Sequence, residues 1–320
     1  MTFFYDKFSY EDVINVKIAN KYLITLFIFA AAVITEYHEK KRNLIMIIVS
    51  KKQIKKFLPK RSKFSNKSDF GKCLIIGGSS SMPGAAILCA RAAARSGAGY
   101  TYLMSGPYYS KFVQNPDFIL LKRQECLKQI NKFNSIALGP GILSETEVKK
   151  FLIFLIKRNI SNVVVDAGAL SILNKLVKKN KLPPSWILTP HEGEMSKLIN
   201  KNANWIRKNR EKAVQLAFQK YGCCILLKGH LSLIYNGEKL YCVNQGTPAL
   251  AKAGTGDVLS GIIAAMLSQK LSSVHAVIIA AYVHGFASQL WKKNKHDEIS
   301  LMASDLIEIL PLSFFKIRKS

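Results

Sequence analysis

This 320-residue chain is poor in acid: 20 Asp and Glu stand against 47 Lys and Arg, a formal net charge of +27. The imbalance has two readings, a Lys- and Asn-rich composition or an anionic partner such as a nucleotide, a nucleic acid or a membrane surface. The lysines are spread along the chain, and no dense basic block interleaved with aromatics occurs, so no nucleic-acid partner is expected. Metal-binding cysteine patterns are missing too. Cys73, Cys89, Cys126, Cys223, Cys224 and Cys242 include no C-x-x-C pair and no Cys/His zinc spacing. Several of them fall in apolar stretches, which suggests buried free thiols in a reducing compartment, the cytoplasm. No apolar run near the start reaches the roughly 20 residues that span a bilayer. The longest uncharged one is Tyr22–Thr35, YLITLFIFAAAVIT. Asp6, Glu11 and Asp12 precede it, unlike a basic signal-peptide start. It reads as a packed helix, with a membrane-associated segment as the alternative, and no membrane partner is expected.

What is present is core-forming: 49% of residues are hydrophobic and only 21% charged, a globular balance. The length suits one large α/β domain with an extension, or two small domains. Residues 1–50 offer no motif and read as an extension; Lys51–Lys56 (KKQIKK) reads as a linker or solvated helix, and the main domain is expected over 51–320. From Lys72 the pattern alternates. KCLIIGG is a short apolar run entering a glycine turn, a buried strand. Ala85–Ser96 is Ala-rich at helical spacing, and Tyr100–Met104 is a second strand. Further strands are expected at Ser135–Leu138, Asn162–Val165, Trp186–Leu188 and Cys224–Leu227. Helices are expected at Glu145–Lys157, Asn209–Tyr221, Gly256–Gln269 and Val274–Trp291. Leu231–Tyr235 and Lys239–Val243 flank Asn236-Gly237, a hairpin signal. Such alternation implies an α/β fold with a mostly parallel sheet and helices on both faces. In these sheets ligands collect at the carboxyl ends of the strands, where the polar Gly-rich segments fall.

The strongest of those segments is Ala253–Gly261, AGTGDVLSG. Its small residues let backbone N–H groups converge. The helical run behind it makes the turn a helix N-terminus, which favours phosphate. Asp257 among those donors reads either as a general base or as a helix N-cap.

This segment resembles the Gly-x-Gly-Asp signature of ribokinase-like enzymes. In the order RSKFSNKSDFGKCLIIGGSSSMPGAA, SGAGY, LGPGI, DAGAL, TPHEGE, LLKGH, AKAGTGDVLSGIIAAML, HGFASQLW and LMASDL, the chain resembles the NAD(P)H-hydrate dehydratase family from about Leu58 to Leu310. The resemblance implies a ribokinase-like fold and an enzyme that restores NADH and NADPH from the S-form of their C6-hydrated derivatives, with ADP or ATP as phosphate donor and with Mg²⁺. By the same resemblance Ala85, Gly141, His191 and Asp257 contact the hydrated nucleotide, and Lys228, Gly229, His230, Leu231, Ser232 and Gly256 contact the adenine nucleotide. Asp257 is the catalytic base, and amides around Gly254, Thr255 and Gly256 form an anion hole. Asp166 is a candidate for organising Mg²⁺ or the phosphate site, or simply a strand-end cap. Glu192 stands where many relatives have proline, which leaves the rigidity of that turn open. The resemblance also implies a homo-oligomer, commonly a tetramer. In many bacteria this dehydratase follows an epimerase domain, which needs about 200 residues; it is expected to be absent here. Two other functions remain open, a ribokinase-like kinase of another small molecule and a non-catalytic nucleotide- or membrane-binding protein.

Overall fold

A computed structural model describes residues 45–104, 117–142, 144–177 and 181–319. Tyr22–Thr35 lies outside them. Ten strands form one sheet: β1 (Met46–Ile48), β2 (Lys72–Ile76), β3 (Tyr100–Met104), β4 (Ile119–Leu121), β5 (Ser135–Leu138), β6 (Val163–Val165), β7 (Ile187–Leu188), β8 (Cys224–Leu227), β9 (Ser232–Tyr235) and β10 (Leu240–Val243). Their spatial order is β1-β10-β9-β8-β7-β6-β5-β2-β3-β4. Only β9 runs against its neighbours, β8 and β10; every other pairing is parallel.

The central strands read KCLII, SIAL, VVV and CILL because parallel strands covered on both faces need apolar side chains on both. The helices follow in chain order: α1 (Lys51–Phe57), α2 (Pro83–Arg95), α3 (Arg123–Lys128), α4 (Glu145–Lys157), α5 (Leu170–Leu176), α6 (Glu192–Ile199), α7 (Ala203–Lys208), α8 (Arg210–Tyr221), α9 (Thr255–Ser268), α10 (Ser273–Lys293) and α11 (Ala303–Arg318). On one face α2, α9, α10 and α11 bury alternate strand residues, among them Cys73, Ile75, Ala137, Val164 and Leu226. On the other face α8 packs on β8 and β9. Small residues set how closely α9 approaches α2: a Cβ on Gly261 would stand 2.2 Å from the Cys89 carbonyl oxygen. By length and composition α10 would span a bilayer, yet 72% of its apolar window is buried in this core.

The structure adds to these expectations. The compact unit over Met46–Ser320 takes in β1, which precedes Lys51 and joins the sheet edge in parallel with β10. Of the two readings of Lys51–Lys56, a linker or a solvated helix, the helix holds. The segment opens α1, capped by Ser50 and Gln53 in a reciprocal capping box, with Ile54 fully buried. The segment after TPH continues as α6, and β1, β4, α3, α5, α7 and α11 had no sequence assignment.

Candidate active site

The carboxyl ends of β2, β5, β6, β7 and β8 come to one edge of the sheet, and α9 starts there. Gly254, at φ +88°, turns the chain into the helix. Thr255, Gly256 and Asp257 form its first turn. The amides of Gly256 and Asp257 find no acceptor among the described residues, as expected of a helix start. Thr255 departs from the expected anion hole. Its N–H turns back to the Lys252 carbonyl at 3.4 Å, and its hydroxyl donates to the Leu250 and Lys252 carbonyls at 2.9 Å. The amides left for an anion are therefore those of Gly256 and Asp257, beside Gly254.

A buried histidine, which the sequence reading did not single out, holds this turn from behind. His284 Nε2 lies 2.9 Å from the Thr255 carbonyl oxygen. Burial pushes the imidazole down to about 4, so it is neutral at pH 7. A carbonyl only accepts, so Nε2 carries the proton. The Gly256 N–H belongs to the same peptide and points the opposite way, towards the open side of the turn.

Charge in the site centres on Lys228, the first residue after β8. Its Nζ donates to Asp166 Oδ1 at 2.7 Å and lies 3.7 Å from Glu194 Oε2. Asp166 follows β6 and is only 2% exposed; its Oδ2 accepts from Ser260 of α9 at 2.7 Å. Burial alone would raise the Asp166 carboxyl, but the Lys228 charge and the hydrogen bonds from Lys228 and Ser260 hold it below the usual carboxylate range. Burial alone would lower Lys228, and Asp166 and then Glu194 hold it above its ordinary value. Asp257 is left as the carboxyl without its own counter-ion. Burial first, and then the charge on Asp166, push it up to about 7, with Lys228 opposing. Two nearby carboxyls driven apart in this way are the usual mark of divided acid–base roles.

Two of the expected residues hold each other in this geometry. Lys228 is mostly buried, with its ammonium on Asp166. Asp166 is the counter-ion of Lys228, and each of its oxygens accepts one hydrogen bond. Among the described residues no three His, Cys, Asp or Glu side chains converge on a possible metal position, so the donor set here does not form a resident Mg²⁺ cage.

The remaining candidates fall on the surrounding turns. Gly141 has φ +70°, and a Cβ there would stand 2.5 Å from the Met82 carbonyl oxygen and 3.0 Å from the Ala85 Cβ, so Gly141 and Ala85 are direct neighbours. A Cβ on Gly139 would meet the Asp166 carbonyl oxygen at 1.9 Å, which seats this turn beside β6. His191 does cap α6: Nδ1 accepts from the amides of Gly193 and Glu194 at 3.0 and 3.3 Å. Its ring is nevertheless largely exposed, and its Nε2 lies 3.6 Å from Oε2 of Glu194, the other member of the cap. The Lys228 amide donates to the Pro190 carbonyl at 2.9 Å, joining the His191 turn to the turn over 228–232. There Gly229 has φ +134°, Leu231 has φ +56°, and the Ser232 hydroxyl donates to the Gly229 carbonyl at 3.1 Å. A hollow of about 550 Å³ beside this turn is lined by His230, Leu231, Arg207, Lys208 and Lys212 among others. A Cβ on Gly256 would face only Lys228 Nζ, at 3.6 Å, so space remains between the first turn of α9 and the lysine.

The family model described as NAD(P)H-hydrate dehydratase matches residues 73–312. The chain is 34% identical over 273 residues to a bifunctional NAD(P)H-hydrate repair enzyme of Dictyoglomus turgidum, covering 80% of this chain and 53% of that one. It is 30% identical over 269 residues to an ADP-dependent (S)-NAD(P)H-hydrate dehydratase of Bacillus subtilis, covering 82% and 95%. The chain thus spans about half the length of the bifunctional relatives it matches. Among solved structures, an ADP/ATP-dependent NAD(P)H-hydrate dehydratase from Bacillus subtilis co-crystallized with ATP/Mg²⁺ superposes with a TM-score of 0.75 at 28% identity, covering 86% of this chain and 99% of that one. A ribokinase-like superfamily protein from Enterococcus faecalis superposes at 0.76 with 24% identity, covering 86% and 97%, and shares the fold.

Proposed function

The chain belongs to the NAD(P)H-hydrate dehydratase family, and from that premise we propose that it dehydrates the S-form of hydrated NADH and NADPH, using ADP or ATP as phosphate donor. The observation that carries this reading is Asp257: a carboxyl pushed up to about 7, on the first turn of a helix whose neighbouring amides are unpaired. A base with that affinity accepts a proton from a hydroxyl near neutral pH. In the reaction Asp257 takes the proton of the C6 hydroxyl, whose oxygen attacks the terminal phosphorus of the nucleotide. The bond to the leaving AMP (or ADP) breaks. The Gly256 and Asp257 amides stabilise charge on the transferred group. The C6–O bond then breaks with phosphate as leaving group, assisted by the ring-nitrogen lone pair. Loss of a proton from C5 restores the dihydropyridine. Ala85, Gly141 and His191 would hold the hydrated nucleotide. The turn over 228–232 would hold the adenine nucleotide. Mg²⁺ entering with the nucleotide would be held by phosphate and water, as is usual for this ion, and no step is assigned to it.

The six cysteines are all buried free thiols, which supports a reducing compartment, the cytoplasm. A homo-oligomer is proposed on the resemblance alone.

The test is recovery of reduced-nicotinamide absorbance by purified protein with hydrated NADH, Mg²⁺ and either ADP or ATP, beside Asp257→Asn. Nucleotide-dependent recovery that the variant loses is expected, and it identifies the donor. No recovery with either donor, from folded protein that binds nucleotide, sinks the assignment and favours a kinase of another small molecule.

A further inference from the structure

One guanidinium ties together the two turns on which the proposed substrates would meet. Arg210, the first residue of α8, donates from Nη1 to Glu192 Oε1 at 2.8 Å. Its Nη2 lies 3.3–3.4 Å from the carbonyl oxygens of Leu227, Lys228 and Leu231. The other oxygen of Glu192 accepts from Arg207 Nε at 3.1 Å. The Arg210 side chain is 18% exposed and that of Glu192 28%, so water screens this pair less than a surface ion pair. The guanidinium lies against Gly229, where a Cβ would stand 3.1 Å from Nη1; side chain and φ +134° together require glycine there.

The consequence for the turn follows from peptide geometry. In a trans peptide the C=O and N–H point in opposite directions. The peptide joining Leu227 to Lys228 is held on both sides, its carbonyl by Arg210 and its N–H by the Pro190 carbonyl at 2.9 Å. In the next peptide the Lys228 carbonyl faces Arg210, so the Gly229 N–H points away from it, and no described residue accepts from that N–H. Arg210 thereby sets the direction of a free amide on the turn proposed to meet the nucleotide. Glu192, one residue after His191, is the link to the other turn. At 192 the carboxylate stands between two arginines, Arg207 and Arg210.

The geometry points to Arg210 as the positioning residue of the nucleotide turn, and to the Glu192–Arg210 pair as a coupling between that turn and the one carrying His191. The inference rests on the placement of the nucleotide given above. It assigns neither residue a direct contact with substrate.

The experiment uses the full chain and its Arg210→Gln, Arg210→Lys and Glu192→Gln variants. Binding of Mg²⁺–ADP and Mg²⁺–ATP is measured by calorimetry, with kcat and KM for nucleotide and hydrated NADH alongside. Loss of a charge-assisted fork is expected to raise the nucleotide Kd and KM of Arg210→Gln about tenfold, with kcat changed far less. Lysine keeps the charge but cannot fork between a carboxylate and three carbonyls, so it should restore only part. Glu192→Gln should raise the KM of both substrates by a factor of about three, since it loosens both turns. Folded Arg210→Gln with wild-type nucleotide Kd, even if less thermostable, overturns the inference and makes the cluster purely structural. Should Arg210→Gln not fold, Glu192→Gln decides in the same way: unchanged KM for both substrates overturns the coupling. Wild-type protein that binds neither nucleotide overturns the functional reading and this inference with it, whereas wild-type binding with unaffected variants overturns this inference alone.

Discussion

Replacing Asp257 by Asn should make the ligand-free protein more stable at pH 8 while removing its activity. Burial and the charge on Asp166 raise the Asp257 carboxyl from 3.8 to about 7. The folded state therefore disfavours the ionised form, and the unfolded chain does not. A carboxyl of this kind costs nothing below its unfolded value, where it is protonated in both states. The cost grows from there and is complete once pH has risen through the folded value. At 1.36 kcal/mol per pH unit the full difference is ~4 kcal/mol; partial solvent contact at the first turn of α9 reduces it to about 2 kcal/mol. Asparagine stays neutral throughout, so its advantage should be near zero at pH 4 and about 2 kcal/mol at pH 8. Urea unfolding of both proteins without ligand at the two pH values measures this. The same ionisation governs turnover, because only the carboxylate accepts a proton. In the wild type kcat/KM should be flat above neutrality and fall about tenfold per pH unit below about pH 7. Asparagine should lower it by a factor of roughly 10²–10⁴. Equal stability of the two proteins at pH 8, or a wild-type profile flat from pH 5 to 8, would refute the placement of the proton on Asp257.

Ser260→Ala removes the donor to a nearly fully buried carboxylate oxygen of Asp166 and should cost about 1–3 kcal/mol in unfolding free energy; a loss within error would mean that water or a shifted Lys228 takes over. His284→Leu removes the Nε2–H bond to the Thr255 carbonyl and should weaken nucleotide-dependent turnover about tenfold. His284→Gln, which can present an N–H from a similar position, should recover much of that turnover, and equal activity of the two variants would remove any role for the hydrogen bond.

The sequence revealed the sheet more fully than the site. β2, β5 and β8 lie at their expected bounds because buried parallel strands are mostly apolar runs ended by glycine or a polar residue, and β3 (YTYLM) does so on its β-branched and aromatic residues. The edge strands β1 and β4 are three residues each, too short to show a period. Asp257, Gly256 and Lys228 were visible because each follows a strand or opens a helix in a distinctive motif. What Lys228 does was not visible. Its partner Asp166 is 62 residues away, and Ser260 lies 94 residues from the same carboxylate. Such pairings are decided by tertiary packing, to which local pattern is blind. His284 was hidden for another reason: inside an apolar helix it reads as core, and it is core, with one polar atom reaching the site. Thr255 shows the opposite failure, a residue in the right motif whose donors turn inward.

The packing of α9 on α2 and of α10 on α9 has a consequence for how the protein is made. Strands β2 to β8 leave the ribosome well before Thr255 does, yet one face of their sheet is covered by helices that follow them in the chain. Until α9 and α10 have emerged, a growing chain displays an apolar surface including Cys73, Ile75, Ala137 and Val164, part of which α2 covers. Synthesis must pass Lys293 before this layer can close, so the nascent protein passes through a long aggregation-prone interval. Chains interrupted ahead of α9 should be clients of chaperones and proteases rather than stable fragments.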